Sequence, residues 1–392
     1  MRELVRAAGQ PFGPLIGLAP PMRCAMRGLD LEPVAAALLR RIREHPADAH
    51  GLLDASIVLQ LLGQADAAML MQQRALRLQT LYSLPAHQPE MILLVIMGPG
   101  EIMWNTPVEF LLEDAGVSLD ILYLTAEHDW PETVPQHDVM LVAMAESESN
   151  LPLLRRLGEA AMHWPRPVIN APERIAALSR DDASVLLGDL AGVAMPRTRR
   201  VDRRALARGD FPLIIRPLDS HAGRDLDLLR NPQEMDDYLL RVQADVFYLS
   251  RFVDYRSADG LYRKYRIALV NGQPFICHLA ISAHWMIHYL NAGMAQSAEK
   301  RQEEADRMAD FDSGFARHHA AAFQAIHART RLAWLTLDCA QTADGELLVF
   351  EVGSAMAVHA MDDEVLYPYK RPAMRKLFSA FRAMLEAARH RA

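Results

Sequence analysis

Cysteine is scarce: Cys24, Cys277 and Cys339 are the only three in 392 residues. The number is odd and no C-x-x-C spacing occurs, so neither a disulfide framework nor a zinc ribbon is implied. An excess of basic charge is also missing. The chain holds 42 Lys and Arg against 49 Asp and Glu, a net charge of −7. That argues against general nucleic-acid or anionic-membrane binding, because phosphate affinity needs a basic surface. No apolar run approaches the ~20 residues that span a bilayer. Met1 to Met26 is interrupted by Pro11, Pro14, Pro20 and Pro21 and does not read as a signal peptide. What remains is 51% hydrophobic and 23% charged, ordinary globular composition in a chain long enough for two or three domains. The expectation is a soluble cytoplasmic protein.

The texture then changes along the chain. Residues 1–28 are rich in proline and glycine and read as an irregular arm. From 29 to 88 the apolar spacing is helical, with small residues around Pro46, Gly63, Ala68 and Ala75 that resemble a single tetratricopeptide-type unit. One such unit cannot bury its own face, so it reads as a cap on the next domain. Residues 91–97 form a continuous apolar run, as in a strand buried on both faces of a parallel sheet. Helix 107–115, strands 121–124 and 139–143, helix 151–162 and strand 168–170 complete a small doubly wound α/β domain over 89–170. Its loops 98–106 and 145–150 stand where such sheets hold ligands, and Gly98-Pro99-Gly100 suggests a cradle for an anion. Beyond Pro172 come a helix over 173–191, a series of hairpins, a long helical section over 298–331 and a final amphipathic helix over 375–391.

The segment 332–352 carries the sharpest chemistry. Two strand patterns flank Asp344-Gly345, a two-residue hairpin signal. With that loop Asp338 faces Glu351, Leu337 faces Val352 and Cys339 faces Phe350. Two opposed carboxylates in apolar surroundings repel each other unless something neutralises them. A divalent cation does so, and hard oxygen ligands select Mg²⁺ or Mn²⁺. On that reading Asp338→Asn leaves the metal-free fold intact and relieves it of one like charge. Two more hairpins supply cations. Strand 211–217 ends at Arg216, followed by a small-residue loop, 218–225, of the kind that lies over phosphates. Strand 262–270 turns at Asn271-Gly272, with Lys264 and Arg266 on one face and Tyr265 opposite His278. Six arginines between 197 and 208 read as a solvated loop. His284 and His288 lack the glutamate of an H-E-x-x-H pattern and read as a cover over a substrate, and His359 as a neighbour of an acceptor site.

These pieces, in this order, resemble the ATP-grasp superfamily, above all its glutathione-synthetase and ribosomal-protein glutamate-ligase types. Residues 168–173 and 190–198 look like its leading helix and proline strand, and 211–217 with 220–223 like its phosphate-covering hairpin. Residues 250–255 look like the hinge that receives adenine, 259–272 like the arginine-bearing strand pair, and 337–339 with 350–353 like the metal strands. The resemblance implies an α/β (α+β) chain: the helical cap, the α/β domain, and a two-lobed ATP-grasp domain with antiparallel sheets over 171–392. It implies an ATP-dependent ligase joining a small-molecule or peptide carboxylate to an amine through an acyl phosphate, with release of ADP and phosphate. ATP and Mg²⁺ are the implied cofactors. Arg216 and Arg266 are the implied catalytic groups, and Asp338 and Glu351 the metal ligands. Arg180, Arg216, Ser220, His221, Ala222, Gly223, Ser250, Arg251, Phe252, Val253, Asp254, Lys264 and Arg266 are the implied nucleotide contacts. A homodimer is compatible with it; nucleic acid and membrane are not expected as partners. Three positions depart from the family pattern: Arg216 replaces a lysine, Arg180 stands near a missing lysine, and Gly353 replaces a metal-binding asparagine. The rival readings are a non-catalytic nucleotide-binding adaptor and an ATP-grasp kinase.

Overall fold

A computed structural model describes residues 1–113, 115–127, 134–206, 209–218, 220 and 223–391. The chain divides into two compact units, Met1–Ile175 with Ser354–Ala392, and Ala176–Gly353. The C-terminal helix Lys370–Arg389 therefore groups with the first unit, not with the segment that precedes it in sequence.

The first unit begins with helices, not with an irregular arm: α1 (Arg2–Ala8) and α2 (Ala19–Met26). The prolines that suggested disorder stand where a helix tolerates them. Pro20 and Pro21 open α2, where backbone N–H groups have no intrahelical acceptor. Helices α3 (Glu32–Glu44), α4 (Ala49–Leu61) and α5 (Ala65–Leu78) follow. Asp48 caps α4 by accepting from the Gly51 N–H at 2.9 Å. The cap does not stay helical to residue 88. Strand β1 (Leu81–Leu84) pairs antiparallel with β3 (Val117–Tyr123) and so joins the α/β sheet.

That sheet has the order β1-β3-β2-β4-β5, with β2 (Met91–Met97), β4 (Val139–Val142) and β5 (Val168–Ile169). The inner pairings are parallel, and the apolar run 91–97 lies nearly all buried. Between β2 and β3 a 3-10 turn at Ile102–Trp104 precedes the short α-helix α6 (Val108–Leu111), shorter than the spacing predicts. Helices α7 (Leu151–Ala161) and α8 (Pro172–Ile175) complete the unit.

The second unit holds two sheets. Its predicted leading helix over 173–191 is divided, because Ser179 accepts from the Asp182 N–H at 3.2 Å and starts a new helix, α9 (Arg180–Leu187). The smaller sheet has the order β7-β10-β8-β9: β7 (Arg199–Asp202), β8 (Leu213–Pro217), β9 (Asp227–Leu229) and β10 (Val246–Arg251). One face, with Leu213, Ile215, Phe247 and Leu249, packs on Met235 and Tyr238 of α10 (Pro232–Arg241). The larger sheet runs β12-β11-β13-β14-β6: β6 (Val193–Ala194), β11 (Tyr262–Val270), β12 (Gln273–Ser282), β13 (Trp334–Gln341) and β14 (Leu347–Gly353). Helical section 298–331 is three helices, α11 (Ala298–Ala309), α12 (Phe315–His318) and α13 (Ala320–Thr330), because the backbone turns away through Asp310–Gly314 and again at His319.

The β13–β14 register confirms Asp338 opposite Glu351 and Leu337 opposite Val352, by a different route from the expected one. The loop has three residues, not two: Thr342 N–H donates to Glu346 C=O, Gly345 N–H to Thr342 C=O, and Gly345 takes φ +87°. That turn alone would shift the pairing by one. A bulge at Phe350 restores it, so Cys339 pairs with Val349 and not with Phe350. A second bulge, at Cys277, breaks the expected Tyr265–His278 pairing: Tyr265 faces Leu279 and Arg266 faces His278.

Candidate functional site

Alternation along β11 puts Lys264 and Arg266 on one face, as expected. The decisive neighbour is β13, which pairs with β11 and sets Arg266 directly opposite Asp338. Lys264, two residues away, reaches the same carboxylate diagonally. Arg266 Nε donates to Asp338 Oδ1 at 2.8 Å and Nη2 to Oδ2 at 3.0 Å; Lys264 Nζ donates to Oδ2 at 2.9 Å. Glu351, on the other flank of Asp338, takes Arg180 Nη2 on Oε1 at 2.5 Å. Burial pushes the Asp338 carboxyl up, but Arg266 and Lys264 outweigh it and hold it well below the usual carboxylate range. Burial likewise opposes, and Arg180 and Arg216 overcome, the titration of Glu351, which is lowered.

The expected repulsion between the two carboxylates is thus answered by four cations of the chain itself. Both oxygens of Asp338 are taken by N–H donors and its side chain is 6% accessible. Glu351 is paired, and Gly353 adds no side chain. Among the described residues no group of three His, Cys, Asp or Glu could hold a metal ion. As placed, these residues do not fit a divalent cation.

Arg216 differs from the other three cations. It is 8% exposed at the end of β8, and its guanidinium donates to Ser220, Nε to Oγ at 3.0 Å and Nη2 to the carbonyl. Both acceptors are neutral. Burial, with Arg180 adding, pushes its pKa down to about 10 despite the opposing pull of Glu351. Six of the predicted residues, Arg180, Arg216, Lys264, Arg266, Asp338 and Glu351, therefore form one cluster with positive charge in excess.

Ser220, also predicted, joins the cluster as the acceptor of Arg216, and the other predicted residues make none of these contacts. Gly223 takes φ +75°, and a Cβ there would meet Met286 Sδ at 3.1 Å. His221 and Ala222 lie outside the described residues, as does Arg208. In the 250–253 hinge the Phe252 N–H is spent on Pro212 C=O at 3.1 Å, and its ring meets Trp285 edge-on. Ser250 is half-buried opposite Ile214, and Val253 is also half-buried. Arg251 is exposed with its side chain on the opposite face of the sheet from Ser250. Asp254 bonds Arg256 at the surface.

His288 does approach the cluster: burial first, then Lys264 and Arg266, lower its pKa. His284 is exposed. His359 belongs to the first unit, edge-on to Phe110. In the 98–106 loop the amides of both glycines of Gly98-Pro99-Gly100 are already used, Gly98 N–H by Asn105 and Gly100 N–H by Gln72, and so is Ile102 N–H by Gln60. Sequence reasoning missed Glu304 of α11. It is fully buried, accepts the Leu279 N–H at 2.9 Å and the Tyr289 hydroxyl at 3.1 Å, and so anchors the segment that carries His288. Its one signal is a position one turn from Met308 on the buried face of an otherwise charged helix.

No family model and no curated protein matches the chain. Among solved structures it is similar to the D-alanine–D-alanine ligase of Bacillus anthracis complexed with ATP, at 14% identity over 77% of this chain and 99% of that one, with a TM-score of 0.47. It is similar to the VanG D-Ala:D-Ser ligase of Enterococcus faecalis, at 13% identity over 77% and 100%, with a TM-score of 0.47. It is also similar to a RimK-domain ATP-grasp protein of Sphaerobacter thermophilus, at 14% identity over 75% and 99%, with a TM-score of 0.44.

Proposed function

We propose that the second unit binds ATP and that the chain is an ATP-dependent ligase joining a carboxylate to an amine. The observation that carries this reading is Arg216: a buried cation whose hydrogen bonds go to a neutral partner, beside Arg180, in a cluster with positive charge in excess. Burying such a charge is costly unless an anion answers it. A triphosphate is a suitable anion, and the order of sequence motifs that resemble ATP-grasp proteins favours it. On this reading Arg216 and Arg180 meet phosphate oxygens, Lys264 and Arg266 keep the far side of the cluster positive, and the backbone of 250–253 holds the base.

The chemistry asks for positioning and charge neutralisation. A substrate carboxylate oxygen attacks the γ-phosphorus, and ADP leaves. An amine then attacks the acyl carbon, phosphate departs with the C–O electron pair, and the amine loses a proton. No step is assigned to a divalent cation. The test is a product screen with ATP over amino acids, small acids and short peptides. ADP and phosphate formed only with both substrates support the reading; AMP with pyrophosphate overturns it. ADP with a phosphorylated product and no amide identifies a kinase. Gly353, where the family carries asparagine, favours the adaptor as second reading: ATP then raises the melting temperature but is never turned over.

A further inference from the structure

The small sheet of the second unit has two faces, and the cluster around Arg216 uses one of them. Arg216 pairs with Tyr248, whereas Leu213, Ile215, Phe247 and Leu249 alternate to the other face and pack on α10. On that second face Arg199 pairs with Leu249, and Arg251 lies two residues beyond Leu249. Continuing the same antiparallel register brings Arg197 opposite Arg251. All three arginines line one open cavity of about 540 Å³ with Phe211, Leu213 and Leu249. Among the described residues none of the three guanidinium groups forms an ion pair or a hydrogen bond. Asp210 is, among the described residues, the one acidic residue on the lining, against three guanidinium groups.

Like charges set opposite each other across a strand pair are destabilising. Here they frame a cavity within the ~300–1,000 Å³ range of small-molecule sites, with an apolar floor and a cationic rim. We propose that this cavity is a second anion site, on the face of the small sheet that packs against α10, which takes a small organic phosphate. Its phosphoryl group sits among Arg197, Arg199 and Arg251, and its apolar part rests on Phe211, Leu213 and Leu249. Arginine suits this task because its planar donor fork matches phosphate oxygens. The inference does not rest on the ligase reading, since none of its side chains belongs to the Arg180–Arg216–Glu351 cluster.

The test is calorimetric titration of the full chain with phenyl phosphate and, separately, inorganic phosphate. Phenyl phosphate is expected to bind the wild type more tightly than inorganic phosphate, since only the ring uses the floor. Arg199→Gln/Arg251→Gln is expected to weaken it by about tenfold or more, the loss of at least one charge-assisted hydrogen bond. These arginines are exposed, so the variant folds, and an unchanged melting temperature verifies it. Arg180→Gln, in the other cluster, is expected to leave phenyl phosphate binding unchanged. Equal affinity in wild type and double variant, equal affinity for the two phosphates, or loss of binding in Arg180→Gln would each overturn the proposal. Failure of ATP to bind would sink the ligase reading and leave this one standing.

Discussion

Each unit holds a pair of carboxylates, one buried and one half-buried, and the pairs behave in opposite ways. In the first unit Asp54 accepts from the Ile16 and Gly17 N–H groups, and Glu109 from those of Leu18 and Ala19 at 2.9 and 2.8 Å. Their hydrogen-bond partners are neutral backbone, so burial dominates: Asp54 is pushed up to about 7 and Glu109 is also raised. In the second unit burial also raises Asp338 and the half-buried Glu351, but their partners are arginine and lysine, and both are lowered. Backbone N–H groups give direction without charge and guanidinium gives both. The sign of a buried carboxylate's shift follows from that difference. One pair serves as a clamp on the chain between α1 and α2; the other is part of a charged site.

The largest expected effect comes from breaking the second pair. Asp338→Asn leaves Lys264 and Arg266 facing a neutral amide in a buried place, and should cost roughly 3–5 kcal/mol in urea unfolding at pH 7.5. The carboxylate-repulsion reading of the sequence gives the opposite sign, so a variant as stable as wild type would restore it.

Next comes the pH dependence that separates the pairs. Asp54 is raised, so its native form keeps a proton that the unfolded chain loses; stability is full below about pH 4 and falls as pH rises to about 7. Asp338 and Glu351 are lowered, so their contribution is present above about pH 4 and lost as pH falls further. Asp54→Asn should flatten the upper slope, a change of roughly 2–4 kcal/mol between pH 4 and 8, and leave the acid limb in place. Urea midpoints measured across that range would expose an unchanged upper slope.

A smaller loss, about 2 kcal/mol, is expected for Glu109→Ala, which strands two backbone donors; Glu109→Gln should cost less because its carbonyl still accepts. Hydrogen exchange at Leu18 and Ala19 should quicken in the alanine variant alone. Asp254→Asn, at an exposed pair, should change stability by about 0.5 kcal/mol or less. Smallest of all, millimolar Mg²⁺ or EDTA should move the melting temperature of the ligand-free chain by no more than about 1 °C, because cations of the chain already balance the carboxylates. A clear rise with Mg²⁺ alone would return Asp338 and Glu351 to metal binding.

Much of the second unit was legible in the sequence because hairpins are local. Asn271-Gly272 takes the two positive φ values its turn needs, and the Lys264/Arg266 face follows from alternation. The pairing of Asp338 with Glu351 was also legible, though through two irregularities that cancel. Helix ends were less so. Pro20 and Pro21 read as breakers by composition, whereas their position at the start of α2 makes them helix formers.

What the sequence by itself determined is the Lys264/Arg266 face of β11 and the Asn271-Gly272 turn, since both depend on neighbours within a few residues. It could not determine that β11 lies beside β13, because more than sixty residues separate Arg266 from Asp338 and no local spacing encodes strand order. That one tertiary choice gave Asp338 two cationic hydrogen-bond partners, Arg266 and, diagonally, Lys264. The opposite sign of the Asp54 shift has the same origin: whether a buried carboxylate meets a charge or a backbone dipole is decided by the fold that brings it there.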